Sequence, residues 1–221
     1  GQWMPPKVFD QTPLRASLTE EGLRLESPVD ALSGVRFTRL IRPAGRRTLA
    51  VTTTYTKVQG DPVDVAVWVV TQLAEPRVIA TTANTQGPPV NLGFGKVKGV
   101  EVEQGVVFWK RFPDVCAKRG TTGRALAWVG DRHTLLITSV PGEPTGVFAG
   151  EGNRAEIYVN PDPLPYVELE TLGLPSDLSQ PLVLPEGAEL PEEGAAAADG
   201  FMDCVAKGLS THQNPVDVVD N

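Results

Sequence analysis

The chain has 221 residues, 41% of them apolar, and a formal net charge of −7. That length and composition supply a sizeable core without help from disulfides or metals, so neither a metal nor a cofactor is expected. The acidic balance disfavours nucleic acid, whose readers carry a basic stripe, and no apolar run approaches the ~18 residues that a membrane helix needs.

Residues 1–20 are polar and punctuated by proline, with Trp3, Val8, Phe9 and Leu14 as anchors for a main body. The opening GQWMPPKVFD has neither a signal-peptide pattern nor a starting methionine, which fits a processed end or the cut edge of a longer chain. From Leu23 onward, short runs rich in Val, Thr, Ile and aromatic residues predict strands over 23–29, 34–42, 48–58, 63–73, 77–82, 97–103, 105–110, 125–129, 133–140, 154–159 and 165–172. Pro43-Ala44-Gly45, Gly60-Asp61-Pro62, Gly130-Asp131 and Pro141-Gly142 supply the turns between them.

Individual segments sharpen this pattern. Arg36, Arg39, Arg42, Arg46 and Arg47 read as a solvated strand edge, where cations discourage edge-to-edge pairing. The run VDVAVWVVTQL at 63–73 lacks alternation in its middle and predicts a central strand covered on both faces. Residues 83–96 and 112–124, rich in Gly, Pro and polar groups, read as surface loops. Beyond 173 the chain turns proline-rich and acidic, with 182–184 as a last short strand and a helix through Ala198, Phe201, Met202 and Val205. The whole predicts a soluble all-β protein: one large antiparallel β-sandwich over 1–190, then a tail over 191–221.

Strong chemical motifs are absent: there is no phosphate-binding glycine loop, no paired-cysteine site and no zinc-protease helix. Cys116 and Cys204 stand far apart, either as two thiols or as one disulfide, so the compartment stays open. His133 opens the strand HTLLITSV and reads as a solvent-tipped strand end, with ligand contact as the alternative. In 165–172 the two-residue period puts Tyr166, Glu168, Glu170 and Leu172 on one face and Val167, Leu169 and Thr171 on the other. Two carboxylates whose Cα atoms lie roughly 6.5–7 Å apart on one strand face suit sugar hydroxyls or a general base. The alternative is a solvated face whose acids are balanced by arginines across the ladder. Trp68 falls in an apolar run and reads as core; Trp3 and Trp109 are the better tryptophans to look for in a cleft, with core or interdomain packing as the favoured alternative for each.

The order of these features resembles a bacterial domain-of-unknown-function family within the galactose-mutarotase-like superfamily. The resemblance rests on Trp3 to Pro6, SGVRFTRLIR at 33–42, VTTTYTKVQGDPVDVAVWVVTQL at 51–73, YVELETLG at 166–173 and LVLPEGAEL at 182–190. It implies a β-supersandwich that binds carbohydrate on a concave face, here lacking N-terminal strands or completed by another chain. By the same resemblance Glu170 takes the place of the catalytic base, while nothing in it places His133 on a second catalytic position. Glu168, Tyr166, Trp109 and His133 are the candidate substrate contacts on the reading of the residues themselves. The segment Val67 to Gln72, where mutarotases carry a catalytic histidine, has none. Three functions therefore compete: a carbohydrate-binding protein, an aldose epimerase using Glu170, and a noncatalytic interaction module.

Overall fold

The computed structural model describes residues 5–82, 90–93, 98–138, 152–173, 176–177 and 182–183. A four-residue helix α1 (Lys7–Asp10) precedes seventeen strands. The first five are β1 (Arg15–Thr19), β2 (Gly22–Glu26), β3 (Val35–Gly45), β4 (Thr48–Lys57) and β5 (Asp64–Val65). They are followed by β6 (Trp68–Ala74), β7 (Val78–Thr82), β8 (Val90–Asn91), β9 (Val100–Glu103), β10 (Val106–Trp109) and β11 (Ala117–Thr121). The last six are β12 (Ala125–Val129), β13 (Thr134–Thr138), β14 (Ala155–Val159), β15 (Tyr166–Leu172), β16 (Ser176–Asp177) and β17 (Leu182–Val183). The fold is all-β, with three five-stranded antiparallel sheets, one two-stranded pair and no closed barrel among the described residues. None of its described helices is long and apolar enough to cross a membrane.

The chain divides into two compact units: β1–β5, β16 and β17 belong to the first, β6–β15 to the second. In the first unit the sheet order is β1-β2-β3-β4-β17, with β5 paired to β16. Arg36, Arg39 and Arg42 do not lie on an edge strand, because β3 is flanked on both sides by β2 and β4. Alternation sends Arg36 and Arg42 to one face and Arg39 to the other, where the Arg39 guanidinium sits 5.5 Å over the Phe37 ring. Phe37 also anchors α1, through an edge contact with Phe9 at 5.3 Å. Arg46 and Arg47 occupy the exposed hairpin turn between β3 and β4.

The second unit contains two sheets, β13-β12-β7-β10-β9 and β6-β15-β14-β11-β8. They share one core: Ile79, Trp109 and Leu126 from the first pack with Ala117, Ile157, Val159, Val167 and Leu169 from the second. Each of the Val, Leu and Ile side chains among them contributes about 1.5–3 kcal/mol when it leaves water. The other face of the β7-centred sheet is also buried, by Val78, Ala80, Val106, Phe108, Ala125, Ala127 and Val129. The strands covered on both faces thus include β7, β10 and β12, and not the 63–73 run. That run breaks at Ala66-Val67 into β5 and β6, and β6 pairs only with β15 among the described residues. Its outer-face residues Val70 and Gln72 remain exposed.

Two further segments depart from expectation, and one of them is the 83–96 loop reading, which contains the two-residue β8. Within the 112–124 loop reading lies β11, an interior strand between β14 and β8. Its Gly120 is required by packing, since a Cβ there would stand 2.2 Å from the buried Asn153 side chain. The connection between β14 and β15 is tied down by Arg111, whose side chain is 1% exposed. Its guanidinium donates to the Asn160 carbonyl at 2.7 Å, to Glu75 at 2.6 Å and to Asp162. The helix expected around 198–205, together with Trp3 and Cys204, lies outside the described residues.

Candidate functional site

The outer face of the β6-β15-β14-β11-β8 sheet gathers the polar side chains that the two-residue period singles out on β15. Register places Glu170 opposite Glu156 on β14 and Val70 on β6. One row nearer the start of β15, Lys118, Tyr158, Glu168 and Gln72 stand side by side on four neighbouring strands. At ~4.8 Å between strands, that row runs about 14 Å across the sheet.

Glu170 is fully buried, at 0% exposure. Its Oε2 accepts the Trp68 indole N–H at 2.5 Å and the Lys118 ammonium at 2.9 Å, both from other strands. Lys118 also reaches Glu156 Oε2 at 2.6 Å, and the Trp68 ring lies 5.3 Å from its Nζ. Two carboxylates therefore share one buried ammonium under an indole. Burial pushes the Lys118 ammonium down, but its hydrogen bonds and ion pairs with Glu156 and Glu170 outweigh this and hold it above its ordinary value. Glu170 Oε1 is buried and has no hydrogen-bond partner, so this carboxylate keeps one unspent acceptor.

Beside this cluster the face opens. Glu168 is half-buried and accepts from Gln72 Nε2 at 3.3 Å. Burial pushes its carboxyl up, and the adjacent Glu170 charge pushes it further, against the pull of Gln72 and Lys118. Tyr166 and Tyr158, both half-buried, have ring centroids 6.1 Å apart. The Tyr158 hydroxyl donates to Asn160 Oδ1 at 2.8 Å and lies 3.4 Å from Cys116 Sγ. Burial first, then the contact with Cys116, pushes this phenol well above its ordinary value.

Of the residues singled out on the sequence, Tyr166, Glu168 and Glu170 share this face, whereas Trp109 and His133 lie elsewhere. Trp109 is 2% exposed in the core between the two sheets, with its indole N–H donating to the Lys98 carbonyl at 3.1 Å. His133 is exposed at the β12–β13 turn in the other sheet, its carbonyl accepting the Gly130 N–H at 2.9 Å. The reading of Trp68 as plain core missed its half-buried position over Lys118. Sequence reading also passed over Lys118, Glu156, Tyr158 and Gln72. The available signal was the period of AEIYV at 155–159, which puts Glu156 and Tyr158 on one side. No group of metal-ligating side chains large enough to hold an ion occurs among the described residues. Compared with known proteins, the chain matches no family model, no curated protein and no solved structure.

Proposed function

We propose that the protein is a carbohydrate-binding β-sandwich of the galactose-mutarotase-like kind, and that it holds its sugar on the outer face of the β15 sheet without converting it. The observation that carries this reading is the single row of Tyr158, Glu168 and Gln72, flanked by the Tyr166 ring. A carboxylate and a carboxamide offer acceptors and donors to hydroxyls, and aromatic rings offer apolar faces to the C–H side of a sugar. Glu168 supplies the ligand contact and Glu170 fixes the floor beneath it. A second reading, an aldose epimerase with Glu170 as base, draws support from the unpartnered Oε1 of that residue. Against it stand the full burial of Glu170, the engagement of its other oxygen by Lys118 and Trp68, and the position of His133 in the opposite sheet.

A glycan array followed by calorimetry with the captured sugar tests the reading. The expected result is saturable binding that weakens at least tenfold in Glu168→Gln, since a hydrogen bond to a charged group is worth about 1.5–3 kcal/mol. Polarimetry of α-glucose and α-galactose is expected to run at the uncatalysed rate. Turnover that Glu170→Gln abolishes would establish the epimerase instead. Sugar capture indifferent to Glu168→Gln would remove this face from consideration.

A further inference from the structure

The first unit carries a second polar constellation, independent of the sugar reading. Alternation along β1, β2 and β3 directs Arg15, Arg24, Glu26 and Arg36 to the same face of their sheet. Arg15 pairs with Glu26 at 2.8 Å, Arg24 at 3.5 Å and Arg36 at 3.6 Å. One carboxylate thus faces three guanidiniums. Its side chain is 14% exposed, while those of the arginines are 77%, 47% and 40% exposed. The cations reach solvent far more than the anion that gathers them.

Two observations set this apart from an ordinary surface ion network. The Arg36 Nε is buried and lacks any hydrogen-bond acceptor, although a guanidinium donor out of contact with water normally has one. Next to Glu26 the surface also forms an open concavity of about 300 Å³, lined by Pro13, Arg15, Glu26, Ser27 and Pro28. Of the three arginines Arg15 lines this concavity, which leaves room for a small group beside its guanidinium, while Arg24 and Arg36 reach the same carboxylate from the neighbouring strands.

We infer that Arg15, Arg24 and Arg36 form a site for an oxyanion, the carboxylate, sulfate or phosphate group of a small ligand, with Glu26 holding the three guanidiniums converged. Planar guanidinium forks match the paired oxygens of all three groups. Glu26 also competes with the ligand, so the site releases its anion readily.

Calorimetric titration of the full chain at low ionic strength with sodium sulfate, sodium phosphate and sodium glucuronate tests this. At least one of the three is expected to saturate, and to bind about tenfold more weakly in Arg36→Gln and in Arg15→Gln, the loss of one charge-assisted hydrogen bond. Glu26→Gln is expected to bind more tightly, because it removes the competing charge. Arg15 is the most exposed of the three, so its variant keeps the parent's thermal midpoint and serves as the check on folding. The three anions separate tetrahedral from planar oxyanion recognition. If none of them saturates, or if both arginine variants bind as the parent does, the site does not exist. Glucuronate binding lost in Glu168→Gln but kept in Arg15→Gln would assign that anion to the sugar face and overturn the inference for carboxylates.

Discussion

The two units use the same ingredients, cations and carboxylates on a sheet face, in opposite proportions and at opposite depths. In the second, two carboxylates share one ammonium out of water. In the first, three half-exposed guanidiniums surround one carboxylate. Desolvating an ion costs several kcal/mol, so in the buried cluster every member depends on the others. At the surface, water screens each pair, and the median contribution falls to about 0–1 kcal/mol. Similar charge chemistry is thus buried and mutually dependent in one unit, and solvent-screened in the other.

The largest effect is expected from Lys118→Met, which strands Glu156 and Glu170 without their shared counter-ion. Removing one partner of a buried pair costs about 3–5 kcal/mol, and urea unfolding of the variant against the parent measures it. A loss below 1 kcal/mol would mean that water reaches the cluster and would erase the contrast between the units. Glu170→Gln comes next, at about 1.5–3 kcal/mol, the range for a lost hydrogen bond to a charged group. It costs less than Lys118→Met because it removes one of two repelling carboxylates and leaves Lys118 paired with Glu156. For a Glu170 lining an open cleft the same change should be nearly neutral, so this value also measures how closed the cluster is.

Glu168→Gln should work in the other direction. The folded protein holds this carboxyl above its ordinary range, so its charged form is penalised on folding. That penalty is absent below the carboxyl's unfolded value and complete once the pH has passed its folded one. The variant is therefore expected to melt about 1–2 °C higher at pH 7, as a few tenths of a kcal/mol would give in a chain of this size. The difference should vanish in acid, and melting curves across that range check the sign. The smallest effect belongs to the surface set: Arg24→Gln should move stability by no more than about 0.5 kcal/mol, and a larger loss would show that those arginines are structural after all.

Much of this architecture can be read from the residues. Runs such as ALAWV and TLLIT, separated by the polar turn GDRH at 130–133, became β12 and β13 because short apolar and β-branched runs on either side of turn residues pair as a hairpin. The segment Ala117–Thr121 was hidden for a physical reason. AKRGT has the composition of a loop, and its lysine and glycine make sense in a strand only once Glu156, Glu170 and the Asn153 side chain stand beside them. Strand β1 was hidden differently: every residue in it is exposed, so no burial pattern marks it. The candidate site was half visible. Period two set Glu168 and Glu170 on a common face, but nothing within β15 tells that Glu170 is covered while Glu168 stays open. That difference is made by Trp68, which is 102 residues away along the chain.

The clasp formed by Arg111 bears on how the molecule can be handled. Because one side chain grips Glu75, Asp162 and the Asn160 carbonyl together, the β14–β15 turn is a poor place for an inserted tag, label or crosslinker, however accessible Leu164 looks at 65% exposure. The β12–β13 turn makes a better attachment point. Asp131, Arg132 and His133 face solvent there, and a reporter attached to them would sit on a different sheet from the Lys118 cluster.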